Sequence, residues 1–230
     1  MPDKLKQMQA LFDQEAKKYN VYPLNNDTFA RALAPRPSAT AGKTVFTYTG
    51  VNAGINSSNA PNILGRSYTM TAEVDVPEGG GNGMLATMGG RWGGWGLYLL
   101  KGKPVFHYNM LILAQYHWQG SDALTPGKHT IVFDYTYDGP GIAKGGSGVL
   151  KVDGKVVATG KQANSIAFLQ VADETFDVGL DTRTSVNEKD YQVPFTFNGK
   201  IDKLTVKLGP TQLSAADEVK VREATARAGD

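Results

Sequence analysis

Three sets of residues in this sequence are of types that do chemistry. Glu73, Asp75 and Glu78 fall in the short run EVDVPE. A retaining glycoside hydrolysis needs two carboxyl groups about 5–5.5 Å apart, one as nucleophile and one as acid. On a strand, Glu73 and Asp75 share a face, because side chains alternate with a period of two. Glu78 would need a bulge to join them, and it sits in a Pro-Glu-Gly-Gly turn. The plainer reading is two solvated strand carboxylates and a turn glutamate.

Asp173, Asp177 and Asp181 form an acidic cluster in DETFDVGLD. Calcium takes six to eight oxygen ligands, often loop carboxylates with backbone carbonyls. Asp177 and Asp181 flank Gly179, so a loop could bring their oxygens together. The spacing is not that of an EF-hand, and the plainer reading is carboxylates that cap turn N–H groups.

The third set is aromatic and polar: Arg91, Trp92, Trp95, Tyr98, His107, Tyr108, Asn109, Tyr116, His117 and Trp118. Sugar and aryl rings stack on aromatic faces, and Arg or His meets an anion such as sulfate by charge-assisted hydrogen bonds. Ligand contacts are assigned from this set to Arg91, Trp92, Trp95, His107, Tyr108, Asn109, Tyr116 and Trp118. The competing expectation is that most of these aromatics fill a core. Trp92, beside two glycine pairs, is the best candidate for an exposed ring.

Other chemistries find no support. With three histidines and no cysteine, thiolate catalysis, disulfides and zinc–thiolate sites are excluded, and no His/Asp/Glu cluster has zinc-ligand spacing. The glycine-rich run Gly139–Gly148 lies between strands, whereas a phosphate-cradling loop needs a helix after it. The net charge of +2 with dispersed basic residues argues against nucleic acid and anionic membranes. No apolar run approaches the roughly 20 residues that span a bilayer. The first nineteen residues are charged throughout, unlike a secretory leader. Nothing here selects a compartment.

The elements that must position these residues read as β-structure from Lys43 onward. Gly83–Met88, Trp95–Leu100 and Pro104–Tyr108 form a glycine-punctuated meander. Ser67–Val76 and His129–Asp138 alternate cleanly. Asp153-Gly154 suits a type I′ hairpin turn between the halves of Val149–Thr159. Phe195–Leu208 changes apolar phase near Asp202-Lys203, which implies a bulge. Asn52–Asn62 and Asp138–Gly148 read as loops, and Ile166–Gln170 and Thr175–Val178 as short strands. The pattern predicts an all-β antiparallel sandwich, a jelly roll, with a short helix at each end. The divisions are 1–40 (helix and wrapping linker), 41–209 (sandwich) and 210–230 (closing helix). Ser214 with Asp217 is a weak capping box for that helix.

The segment PDKLKQMQALFDQEAKKYNVYPL resembles the end of the catalytic domain of bacterial arylsulfatases. The blocks TAEVDVPEGGGNGMLATMGGRWGGWGLYLLKGKPVFHYN, PGKHTIVFDYTYDGPGIAKGGSGVLKVDGKVVATG, DETFDVGLDTRTSV and FTFNGKIDKLTVKL are similar, in that order, to the region that follows it. The hairpin and closing strand are also similar to laminin G-like, concanavalin A-like jelly rolls. Jelly rolls of this type often hold calcium at a rim, and some jelly-roll glycosidases carry a strand similar to EVDVPE. The resemblance implies a sulfate-ester hydrolase with a formylglycine nucleophile made in a C/S-x-P-x-R motif. That motif is absent here, and Ala34-Pro35-Arg36-Pro37 does not fit it, so no catalytic residue carries over. The expected role is therefore a non-catalytic C-terminal accessory domain that packs on a sulfatase catalytic domain and walls its substrate cleft. A free-standing saccharide-binding module, with or without calcium, is the alternative, and a glycosidase using Glu73 and Asp75 is the third. On the accessory reading the Leu5/Met8/Phe12 stripe is orphaned, exposing an apolar patch or covering it in a homodimer.

Overall fold

The computed structural model describes residues 2–24, 40–167 and 174–228. The chain divides into two units, Met1–Pro35 and Arg36–Asp230. The first holds helix α1, Pro2–Lys18. Asp3 sits in its first turn and Lys17 and Lys18 in its last, where each charge opposes the helix dipole. Leu5, Met8, Leu11 and Phe12 are exposed on it. Residues 25–39 of the wrapping linker lie outside the described residues.

The second unit is an antiparallel β-sandwich. Its strands in chain order are β1 (Val45–Tyr48), β2 (Asn52–Ile55), β3 (Tyr68–Val76), β4 (Gly83–Gly90), β5 (Gly93–Leu100), β6 (Lys103–Met110), β7 (Ala114–Gln119), β8 (Gly127–Tyr137), β9 (Lys144–Val152), β10 (Lys155–Asn164), β11 (Phe176–Val178) and β12 (Lys200–Leu208). One sheet has the order β1-β12-β3-β8-β9-β10 and the other β2-β11-β4-β5-β6-β7. Helix α2, Ala215–Ala228, closes the chain. Its capping box is reciprocal: the Asp217 amide donates to Ser214 Oγ and the Ser214 amide to Asp217 Oδ2, each at 3.1 Å.

The core lies between the sheets. On β3, Tyr68, Met70, Ala72, Val74 and Val76 are buried, as the alternation requires. Phe106 of β6 stacks on Phe133 of β8 at 3.6 Å between ring centroids, joining the layers. The phase slip in the last strand is a register shift between Ile201 and Lys203. Asp153 (φ 48°) and Gly154 (φ 78°) make the β9–β10 turn with two positive φ angles.

Several sequence expectations are corrected. Asn52–Ile55 pairs as a short edge strand, although its residues read as a polar loop. Lys144–Gly148 belongs to β9, although its glycines read as a turn region. The reason is close packing: a Cβ on Gly148 would come within 2.7 Å of Phe133 Cζ and 2.8 Å of Trp118. Phe195–Gly199 is a clamp outside the strands, with β12 starting at Lys200. Ile166 and Ala167 are not in a strand, and the rest of that expected strand lies outside the described residues.

Candidate functional site

The second sheet has two faces with different fates. Its inner face carries Trp95, Phe106, Tyr108 and Trp118 into the core. Its outer face carries Met84, Tyr98 and Val105, then His107, Asn109, Gln115 and His117. Segment 179–199 crosses this outer face. Tyr191 and Phe195 stack at 4.4 Å, and both rings meet Tyr98 edge-on at 5.5 and 6.1 Å. With Met84, Val105 and Val186 they seal one half of the face as a small second core. The other half stays open as a groove of about 590 Å³, lined from the β4–β5 turn, β6, β7 and residues 185–190.

The floor is a network of hydrogen-bonding side chains. His107 and His117 are cross-strand neighbours, as are Asn109 and Gln115. His107 Nε2 lies 2.6 Å from Gln115 Oε1, which can only accept. His107 therefore carries its proton on Nε2 and presents Nδ1 as an acceptor, 3.2 Å from His117 Nδ1 and 3.4 Å from the Asn187 amide. Burial pulls His107 down to about 4, with the His117 charge acting the same way, against Gln115 and Asp190. The ring is neutral at physiological pH.

The Gln115 amide donates to Asn109 Oδ1 at 2.8 Å. The Asn109 amide donates to the carbonyls of Gly90 and Arg91, fixing the β4–β5 turn against the floor. At the sealed end Tyr98 donates to Asp190 Oδ2 at 2.5 Å, and His117 Nδ1 stands 4.0 Å from the same oxygen. Gly96 sits opposite His107 in the register. A Cβ there would come to 3.1 Å of Val186 Cγ2 and 3.2 Å of Met84 Cε, so glycine lets the crossing segment lie close to the sheet.

The rim carries the charge. Arg91 and Trp92 form the β4–β5 turn, and Trp92 is 71% exposed. The Arg91 guanidinium lies 5.5 Å from the Trp92 ring centroid. Arg91 Nε is 3.6 Å from Glu188 Oε1, with both side chains more than half exposed, so this pair contributes little to stability. Arg91 and Lys189 balance Glu188 and Asp190 around the groove.

Of the residues read from sequence as ligand contacts, Arg91, Trp92, His107 and Asn109 meet in the groove. Trp95, Tyr108 and Trp118 are 2%, 4% and 2% exposed on the opposite face and belong to the core. Tyr116 packs against that core as well, and its hydroxyl accepts from the Asn164 amide. Sequence reasoning did not single out Gln115, Asn187 or Asp190. The signal for Gln115 was present: in AQYHWQ the polar residues alternate with Tyr116 and Trp118, so they must face the other way.

The carboxylates are committed elsewhere. Glu73 pairs with Lys203 at 2.6 Å, and Asp75 lies in register with Lys128 and Lys200 on the outer face of the first sheet. That face is a ladder of cross-strand charges. Glu78 is exposed in the turn after β3.

Asp177 is buried on β11. Its Oδ1 accepts from the Gly54 amide at 2.6 Å and from Thr175 Oγ1 at 3.0 Å, and its Oδ2 from Thr182 Oγ1 at 3.1 Å. Asp181 is 1% exposed and accepts from Tyr191 at 2.5 Å. Asp173 lies outside the described residues. Among the described residues no group of three His, Asp or Glu side chains is arranged to hold a metal ion.

Burial lifts Asp181 to about 6, with the charges of Glu174 and Asp177 adding to it and the Tyr191 hydroxyl opposing it. Between the unfolded value of 3.8 and about 6 the folded chain holds the extra proton. Stability therefore falls as pH rises through that window. A loss on the order of 2–3 kcal/mol is expected between pH 4 and 7. Denaturant midpoints across that range check it, and Asp181→Asn should flatten the slope.

No family model and no curated protein matches this chain. Solved structures match at the level of the fold. The Ruminococcus gnavus IT-sialidase CBM40, bound to alpha2,3 sialyllactose, superposes with a TM-score of 0.51 at 14% identity, over 78% of this chain and 97% of that one. Domains LG4-5 of the mouse laminin alpha1 chain give a TM-score of 0.45 at 10% identity, over 76% of this chain and 44% of theirs. The receptor-binding domain of botulinum neurotoxin type G gives 0.41 at 10% identity, over 85% of this chain and 49% of its own. None of the three is a sulfatase. The chain is an antiparallel jelly-roll sandwich with the fold of the CBM40 module.

Proposed function

We propose that this chain is a saccharide-binding domain whose site is the groove between Trp92 and Asp190. One observation carries the reading. An exposed tryptophan overhangs a floor of hydrogen-bond donors and acceptors, formed by His107, Asn109, Gln115, His117 and Asn187. A sugar presents hydroxyls that both donate and accept, together with an apolar C–H face. The floor meets the hydroxyls and Trp92 the face. The volume falls within the range of about 300–1,000 Å³ usual for small-ligand sites. The balanced rim charge favours a neutral saccharide. The likeness to a sialyllactose-bound module supports the ligand class by analogy of fold.

Binding should not need calcium, because both oxygens of Asp177 already accept hydrogen bonds from the protein. Calorimetric titration with neutral, sialylated and sulfated oligosaccharides, each with and without chelator, tests this. Trp92→Ala should weaken binding by about 0.5–1.5 kcal/mol, a factor of about two to twelve, with the thermal midpoint unchanged. Loss of binding in chelator would return the metal reading. No binding to any saccharide would remove the lectin reading.

A second reading rests on the sequence blocks similar to arylsulfatases. In it the domain is an accessory to a sulfatase catalytic domain, with the Leu5/Met8/Phe12 stripe of α1 as its attachment or as a homodimer contact. It is compatible with a saccharide groove, which would then hold part of a sulfated substrate. A sulfated oligosaccharide binding more tightly than its neutral parent would favour it.

A further inference from the structure

A second cavity of about 540 Å³ opens at one end of the sandwich, between the two sheets. One wall is apolar, with Phe46 of β1, Ile63, Met88 of β4, Trp95 of β5 and Ile166, and the rest of the lining is polar, with Thr44, Ser57 and Asn62 among its residues. Segments 40–44 and 57–64 form its mouth. It lies on the inner face of the second sheet, so it is separate from the groove above His107. Among its described lining residues the charged groups are Lys43 and Arg66, both basic. Lys43 Nζ stands 5.1 Å over the Phe46 ring at the entrance. Arg66 Nε is buried and has no hydrogen-bond partner. A buried unpaired guanidinium N–H is costly, and native structures usually satisfy it. Glu218 acts on Arg66 through its charge, yet Nε itself stays unmatched.

A chamber with one apolar wall and two cationic side chains fits an amphipathic anion. We infer that this cavity binds an alkyl carboxylate, with the chain against Phe46, Met88 and Trp95 and the carboxylate on Arg66. The alkyl tail displaces water from the apolar wall, and the carboxylate pairs with the Arg66 guanidinium by charge-assisted hydrogen bonds. Lys43 adds a second positive charge at the mouth. This site does not depend on the saccharide reading.

Tryptophan fluorescence of the intact chain, titrated with decanoate and with decanol, tests the inference. Decanoate should shift the emission saturably and bind at least tenfold more tightly than decanol, which has the same tail without the charge. Arg66→Gln should bring decanoate down to the affinity of decanol while decanol is unaffected. Trp95→Phe should remove most of the signal. Equal binding of the two ligands, an Arg66→Gln variant that binds decanoate as the parent does, a full signal in Trp95→Phe, or no response to either ligand would each overturn it.

Discussion

Replacing Trp118 by alanine is expected to lower the unfolding free energy by about 4 kcal/mol, near the upper range for a large core aromatic. The indole is 2% exposed, 5.8 Å from the Phe106 ring and 5.3 Å from Phe133. Opposite it on the first sheet stand Gly148 and Gly160, where a Cβ would come to 2.8 and 2.7 Å of the indole. Glycines have no side chain to move into the space, so truncation leaves an open cavity rather than a collapsed one. For a unit of this size about 1 kcal/mol corresponds to about 2–4 °C, so the thermal midpoint should fall by roughly 8–16 °C. The affinity of the folded fraction for a saccharide should not change, because Trp118 faces away from the groove. Calorimetric melting alongside a saccharide titration separates these effects. A variant that melts like the parent but loses binding would contradict the placement of Trp118.

The Asp177→Ala variant should be nearly as damaging, at about 3 kcal/mol. The carboxylate is 2% exposed and accepts three hydrogen bonds, from the Gly54 amide on the edge strand and from two threonine hydroxyls. Its loss removes the acceptor shared by the Gly54 amide and two threonine hydroxyls and unties β2 from β11, and hydrogen bonds to a charged group contribute about 1.5–3 kcal/mol each before desolvation is subtracted. The same variant bears on the calcium expectation. If Asp177 were a metal ligand, calcium would raise the midpoint of the parent by mass action and leave the variant alone. The expected result is no calcium shift in the parent and a lowered midpoint in the variant at any calcium level. Chemical denaturation with and without calcium decides it.

Much of this architecture was legible in the sequence, and the failures have common physical causes. β3 and β8 alternate strictly because one face is core and the other solvent. The bulge before Lys203 showed as a phase slip, and the β9–β10 turn as Asp153-Gly154. The first half of β9 was hidden because Gly145, Gly146 and Gly148 serve close packing against β10, Tyr135 and Trp118, and glycine in a sequence reads first as a turn. Strand β2 was hidden because a short edge strand buries little and needs no alternation.

The site was half legible for a related reason. The meander gathers aromatics on both faces of one sheet, and their residue types do not say which face is covered. Period-two phase separates Trp95, Tyr108 and Trp118 from His107, Asn109 and Gln115. The covering of half the outer face by Tyr191 and Phe195 depends on a segment about 100 residues away in the chain, and no local pattern announces it. The acidic cluster carried two readings, because carboxylates that clamp loops have the same composition as carboxylates that hold calcium.

The most direct measurement is an NMR titration of the isotopically labelled chain with a neutral oligosaccharide, following side-chain N–H signals. The account predicts that the Trp92 indole and the side-chain amides of Asn109, Gln115 and Asn187 move together and saturate, while the Trp95 and Trp118 indoles stay in place. Saturable shifts confined to Trp95 and Trp118, or to the charged ladder around Glu73 and Asp75, would contradict the groove as the site. A spectrum unmoved by neutral, sialylated and sulfated saccharides alike would contradict saccharide binding itself.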